Sequence, residues 1–170
     1  NNLHFNYGGD LGLGVNPKLI ERLNKSDYLV LLGGRLSENP SQGFSLLGIP
    51  EHDKKFVHIH PGPEEIGRIY KPHLGIACSP ISFVNALNNA LKGLNTKPSS
   101  QNQVLANEAH EEYLEWGNMP LEAPNSGVDL TTAFRNLREN LDTNTIITNG
   151  AGNYAVWGHR LFRFTKIKTQ

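Results

Sequence analysis

A chain of 170 residues makes one ordinary domain, or one domain and part of a second, with room for a sizeable core. Its 16 Lys and Arg balance 16 Asp and Glu, so no global field draws it to nucleic acid or to an anionic membrane surface. No apolar stretch approaches a membrane span and no signal-peptide pattern opens the chain; the lone Cys78 reads as a buried, reduced thiol, and a cytoplasmic setting follows.

In chain order, the glycine-rich "GGDLGLG" comes first, and a helix is expected from Pro17, a residue suited to a first turn. "DYLVLLGG" is apolar without alternation, as in a parallel strand covered on both faces, and Gly33-Gly34 end it abruptly. "RLSENPSQGFSLLGIPEHD" is rich in turn residues and reads as a long loop. "KKFVHIH" is the next strand, "PEEIGR" a helical turn and "HLGIAC" a third strand. Pro80 then opens a helix whose Val84, Leu87, Leu91 and Leu94 share one face.

The stretch 95–103, "NTKPSSQNQ", is polar and without apolar period, and is the best linker candidate. Beyond it, Leu105, Ala109, Tyr113 and Trp116 mark an amphipathic helix. A break at "GNMPLEAPNSG" is followed by a helix with Leu130, Phe134, Leu137 and Leu141 on one side. "TNTIIT" reads as a strand leading through "NGAG" into the helix-like "YAVWGHRLFRF". Strands alternating with helices mean a parallel sheet with right-handed crossovers. The expected fold is therefore α/β: a Rossmann-like parallel sheet flanked by helices, followed by a partial βα unit. Both ends look cut, so the chain reads as a fragment of a longer polypeptide.

Five groups of residues merit chemical attention. The cluster Gly8 to Gly14 lacks G-x-G-x-x-G spacing, leaving a tight turn or a nucleotide contact. Gly33, Gly34 and Arg35 sit at the C-terminal end of a parallel strand, where open α/β sheets bind ligands; the alternative is a plain turn with a solvated arginine. His58 and His60 point to one side of their strand, but no third metal ligand is near, and packed, hydrogen-bonded histidines are expected. His159, Arg160 and Arg163 form a basic helical face that meets either an anion or water.

The fifth group is the glycine turn at Gly150 and Gly152 with Asn153 and Tyr154. Glycine frees the backbone to aim N–H groups at an anion, the following helix adds its positive end, and both side chains carry donors. No Walker lysine follows, which excludes a P-loop. No Ser/His/Asp arrangement and no facing carboxylate pair appears.

Taken together, "SDYLVLLGGRLSENPSQGFSLL", "KFVHIHPGPEEIGRIYKP" and "IITNGAGNYAVWGHRLFRF" resemble, in order and spacing, landmarks of thiamine-diphosphate-dependent enzymes of the acetolactate synthase group. The resemblance implies most of a Rossmann-like middle domain at 1–94, a connecting segment at 95–125 and the start of the diphosphate-binding domain at 126–170. It makes Gly150, Gly152, Asn153 and Tyr154 the first diphosphate-facing loop, although Asn-Tyr replaces the Gln-His common in the group. Thiamine diphosphate and Mg²⁺ are the implied cofactors of the full-length enzyme, a 2-keto acid its substrate, and a homodimer or homotetramer its assembly. The G-D-G motif and the catalytic glutamate are absent, so this chain is expected to be inactive alone.

In the same group the middle domain holds FAD through acidic residues, where this chain has His60 and Gly62. The nucleotide site is then either vestigial or taken by another adenine-containing ligand. Two other functions stay open: decarboxylation of an aryl or indolyl 2-keto acid on the same scaffold, and a nucleotide-binding regulatory module.

Overall fold

A computed structural model describes residues 2–95, 97–118, 125–150 and 152–166. The chain divides into two compact units, one made of 20–98 and the other of 1–19 with 99–170. Its elements run α1 (Pro17–Lys25), β1 (Tyr28–Leu32), β2 (Lys55–His60), a 3₁₀ turn (Pro63–Glu65), β3 (Leu74–Ala77), α2 (Pro80–Leu91), α3 (Ser100–Trp116), α4 (Leu130–Asn140) and α5 (Ala155–Leu161). Among the described residues no helix is long and apolar enough to cross a membrane.

In the unit 20–98, three strands pair in parallel in the order β1-β2-β3. Tyr28 stands opposite Lys55 and Leu32 opposite Ile59; on the other side Val57 meets Leu74 and His60 meets Ala77. This is the parallel α/β sheet expected of the sequence. The central strand carries the core: Phe56 and Ile59 are fully buried, with Leu36, Leu46, Leu47 and Tyr70 around them. Lys54 is also buried, and its Nζ donates to the Asn24 and Ser26 carbonyls at 2.7 and 2.9 Å. An ammonium on those carbonyls satisfies the acceptors that the end of α1 leaves open.

Two expectations about burial fail here: Cys78 is half-buried rather than buried, and β1 is not covered on both faces. β1 alternates between exposed and half-buried residues; Val30 is 57% exposed, so the strand is covered on one face only. Likewise, no residue of α2 is buried, and Val84, Leu87 and Leu91 all stand 39–44% exposed. An unbroken apolar run reports that a strand is compatible with burial on both faces, not that a second layer is present.

In the other unit, Ser99 caps α3 by accepting the Asn102 N–H at 3.1 Å. The helix thus starts inside the 95–103 stretch read as a linker. A serine after a proline ends a loop as readily as it continues one, and the cap decides. "TNTIIT" forms no strand: Thr143 and Asn144 lie in a turn, and Ile146 is 65% exposed. A strand exists only through its ladder, and none pairs with this segment among the described residues. α5 is shorter than the helix-like pattern, stopping at Leu161 because Phe162 turns extended at φ −81°, ψ 152°. Part of the break at "GNMPLEAPNSG", residues 119–124, lies outside the described residues.

Candidate functional site

At the C-terminal end of β1 the Gly33 N–H continues the ladder to the Ile59 carbonyl at 2.8 Å, and the backbone then turns at φ +75°. Glycine is required there twice over. The left-handed conformation disfavours any Cβ, and a Cβ would lie 2.7 Å from Pro80 Cγ. The Gly34 carbonyl accepts from His58 Nε2 at 3.0 Å, so His58 braces the turn from the neighbouring strand.

His58 and His60 do share one side of β2, with ring centroids 6.0 Å apart. Both are buried, and His60 Nδ1 accepts the Gly62 N–H at 3.0 Å. They are packed, hydrogen-bonded histidines as expected. Among the described residues no group of three or more His, Cys, Asp or Glu is placed to hold a metal ion.

Arg35 is not simply solvated. Its Nε meets Glu65 Oε2 at 3.2 Å, while Glu65 Oε1 meets Arg68 Nη1 at 3.1 Å. The two guanidiniums are largely exposed, but the Glu65 side chain is only 10% exposed. They border a cavity of about 230 Å³ with Ser37, His58 and Tyr70. Between Arg35 and Ser37, the buried Leu36 adopts φ +47°, an uncommon conformation for a residue with a Cβ. Tyr70 is 3% exposed, and its hydroxyl is buried without a hydrogen-bond partner among the described residues. Such an orphan hydroxyl costs about 1–3 kcal/mol.

Sequence reasoning found Gly33, Gly34 and Arg35 but missed Glu65, Arg68 and Tyr70. Glu65 and Arg68 carried a local signal, since opposite charges three apart on a helical turn face each other. That Arg35, thirty positions earlier, shares the same carboxylate was not visible in the sequence.

The second predicted group, Gly150 to Tyr154, lies in the other unit. Its turn is closed by its own bonds: Gly152 N–H donates to the Gly150 carbonyl at 3.2 Å and Ala155 N–H to the Gly152 carbonyl at 2.9 Å. Val156 and Trp157 donate to the Asn153 and Tyr154 carbonyls, each at 3.2 Å. These four N–H groups are therefore spent within the turn. A Cβ on Gly150 or Gly152 would strike the Tyr154 side chain, which folds back over both glycines. Asn153 and Tyr154 present exposed side chains just ahead of α5.

The basic face beside this turn is largely inward. Arg160 is buried, its Nε donates to the Trp116 carbonyl at 3.0 Å, and its guanidinium lies 3.6 Å from the Trp116 ring centroid. Arg163 sits 4.6 Å over the Tyr113 ring and donates to the Arg160 carbonyl at 3.1 Å. Burial pulls both guanidiniums below the usual arginine range. Planar, weakly hydrated guanidinium tolerates this because aromatic faces and carbonyls replace water. Arg160 is thus held against Trp116, and the half-buried Arg163 against Tyr113.

The Gly8–Gly14 cluster wraps the same helix packing. Trp116 Nε1 donates to the Gly14 carbonyl at 3.0 Å, and a Cβ at Gly14, φ +74°, would come 2.7 Å from Val156 Cγ1. Gly14 is thereby packed as a tight turn needs. Nearby, His110 Nδ1 donates to the Tyr7 carbonyl at 2.8 Å, and the Tyr7 and Tyr113 rings meet edge to face at 4.9 Å. Burial raises both phenol pKa values; for Tyr7 the carboxylate of Asp10 adds to the effect.

Comparison with known proteins gives these features a context. The chain is 25% identical over 146 residues to "Acetolactate synthase 1, chloroplastic" of Oryza sativa subsp. japonica, covering 85% of this chain and 22% of that protein. It is 29% identical over 119 residues to "Acetolactate synthase 2, chloroplastic" of Brassica napus, covering 66% of this chain and 17% of that protein. It thus spans about a fifth of the length of these curated relatives. Residues 1–87, just over half of the 170, match the family model "Thiamine pyrophosphate enzyme, central domain". With the parallel sheet and its glycine-ended strand inside that span, the chain belongs to the thiamine pyrophosphate enzymes and carries their central domain.

Proposed function

We propose that the polypeptide carrying this chain is a thiamine-diphosphate-dependent enzyme that decarboxylates a pyruvate-type 2-keto acid and ligates the product to an acceptor, as an acetolactate synthase does. The observation behind this reading is the extent of the likeness. An alignment of 146 residues is longer than the 87-residue central-domain match, so similarity to acetolactate synthases continues beyond that domain. On this reading 1–94 is the middle domain, 95–125 the connecting segment and 126–170 the start of the diphosphate-binding domain.

Thiamine diphosphate, when bound, supplies the electron sink of such a reaction, and the protein supplies position and electrostatics. The loop at Gly150–Tyr154 would meet a diphosphate through the Asn153 and Tyr154 side chains. The turn's own bonds hold Asn153 and Tyr154 exposed at one spot, where an amide and a hydroxyl donate to phosphate oxygens. Gly150 and Gly152 matter by leaving space for the Tyr154 ring. At the other predicted site, Gly33, Gly34 and Arg35 shape the strand end where a middle-domain ligand would lie. The described residues of this loop do not fit Mg²⁺, since no carboxylate stands within it. A reducing, cytosolic setting belongs to the same reading and rests on the unpaired Cys78.

The test is an assay of the full-length polypeptide, supplied with thiamine diphosphate and Mg²⁺, on pyruvate. CO₂ release with formation of acetolactate is the expected result, with a homodimer or homotetramer in solution and no turnover by the 170-residue chain alone. Aldehyde released from indolyl or aryl 2-keto acids without carboligation would replace this reading with simple decarboxylation. Absence of turnover on any 2-keto acid, with adenine nucleotide binding retained, would leave a regulatory module.

A further inference from the structure

The sequence contains a single Asn-Gly pair, Asn149–Gly150. Asparagine before glycine is chemically labile, because the next peptide nitrogen reaches the side-chain carbonyl and glycine has no Cβ to hinder the approach. Burial or a rigid ladder suppresses this chemistry, and neither protects the pair. Both residues are exposed and lie in a stretch, 145–150, that is neither helix nor strand. The Gly150 N–H donates to no other backbone carbonyl among the described residues. The Asn149 amide donates to the Gly150 carbonyl at 3.1 Å, so the side chain folds forward over the residue whose nitrogen must attack. Asn153 is just as exposed but lacks these conditions. Tyr154 follows it with a bulky side chain, and the Asn153 carbonyl is held by the Val156 N–H at 3.2 Å.

We propose that Asn149 is a site of spontaneous covalent modification, which places a carboxylate in the loop leading to α5. The Gly150 nitrogen gives up its proton and bonds to Asn149 Cγ. The Cγ–Nδ2 bond breaks, and the side-chain nitrogen leaves as ammonia. Water then opens the resulting succinimide. Cleavage of the bond from nitrogen to Cγ gives aspartate; cleavage of the bond from nitrogen to the main-chain carbonyl carbon gives isoaspartate, whose backbone runs through the side chain. Nothing is oxidised or reduced, and water is the one co-reactant. The new charge arises beside Tyr154, since a Cβ on Gly150 would come 2.5 Å from the Tyr154 hydroxyl. A carboxylate there repels a diphosphate that Asn153 and Tyr154 would hold. That consequence rests on the keto-acid reading, whereas the covalent step does not.

The covalent step is tested by incubating the cofactor-free full-length polypeptide at mildly alkaline pH and following its digests by tandem mass spectrometry. Asn149 should convert to aspartate and isoaspartate, faster as pH rises. Its rate in the folded protein should lie within about tenfold of that in urea, because exposed loop segments open at little free-energy cost. Asn153 in the same digests should convert at least about tenfold more slowly, its approach blocked by the Tyr154 side chain. Asn149→Gln closes only a larger, slower-forming ring and should abolish conversion, with circular dichroism matching the parent. An intact Asn149 overturns the proposal, as does conversion no faster than that of Asn153 or folding that protects Asn149 more than about tenfold. Calorimetry with thiamine diphosphate and Mg²⁺ reads the consequence. Asn149→Asp should bind at least about fivefold more weakly than the parent, and Asn149→Gln within about twofold. Equal affinity of the Asp variant overturns the link to the diphosphate. A parent that binds no thiamine diphosphate overturns the keto-acid reading instead, and the peptide masses alone then decide the modification.

Discussion

Gly33, like Gly14, is a residue where a hydrogen in place of a side chain matters. At φ +75°, with Pro80 Cγ 2.7 Å from where a Cβ would sit, Gly33→Ala should cost about 1–3 kcal/mol, read from the denaturation midpoint. Tyr7 and Tyr113 make a second residue-scale prediction, about pH. Burial raises both folded-state values above the ordinary phenol value of 10.0. The stability they confer is complete below that value and is lost as pH rises through their higher folded values, because the unfolded chain ionises first. The thermal midpoint should therefore fall from about pH 9 to pH 11, and Tyr113→Phe should flatten that decline. Such residue-level facts were half legible. A double glycine after an apolar run announces a turn; which atom fills the missing side chain's place does not show in one dimension.

Among the elements, α2 and β2 contrast most. Phe56 on β2 is fully buried, whereas Leu87 on α2 is 44% exposed. Phe56→Ala should cost about 3–5 kcal/mol, and Leu87→Ala less than about 1 kcal/mol, both measured by urea denaturation. Equal losses would mean that α2 is buried after all. The helix α4 shows what a cap does: Asp129 Oδ1 accepts the Thr131 N–H at 2.9 Å and Oδ2 the Thr132 hydroxyl at 2.6 Å. The Thr132 hydroxyl, then the backbone N–H groups, pull its carboxyl below the usual 3.8. That contribution is present above the unfolded value and disappears as pH falls through the folded one. Asp129→Ala should reduce helical circular dichroism at neutral pH, with the difference from the parent vanishing at strongly acidic pH. Helices and strands were legible as periods of 3.6 and as apolar runs. The failed strand at "TNTIIT" was not, because pairing is a property of two segments.

For the whole molecule, the division into two units predicts two unfolding events. Both tryptophans, Trp116 and Trp157, fall in the unit of 1–19 and 99–170. Tryptophan fluorescence therefore reports that unit, while far-ultraviolet circular dichroism reports both. The two probes should give non-coincident urea transitions, and Phe56→Ala should shift the dichroism curve and leave the fluorescence midpoint in place. Coincident curves that move together would mean one cooperative structure. The parallel α/β sheet and its glycine-ended strand were legible from apolar runs and glycine placement, which act over a few neighbouring residues, and the family from the resemblance of whole motifs in order and spacing. Folding alone brought Arg35 to the Glu65 it shares with Arg68, laid Arg160 and Arg163 on Trp116 and Tyr113, and left one face of β1 exposed. Those outcomes depend on which distant groups meet, and side-chain charge or hydropathy cannot specify a partner until the backbone has brought it within a few ångströms.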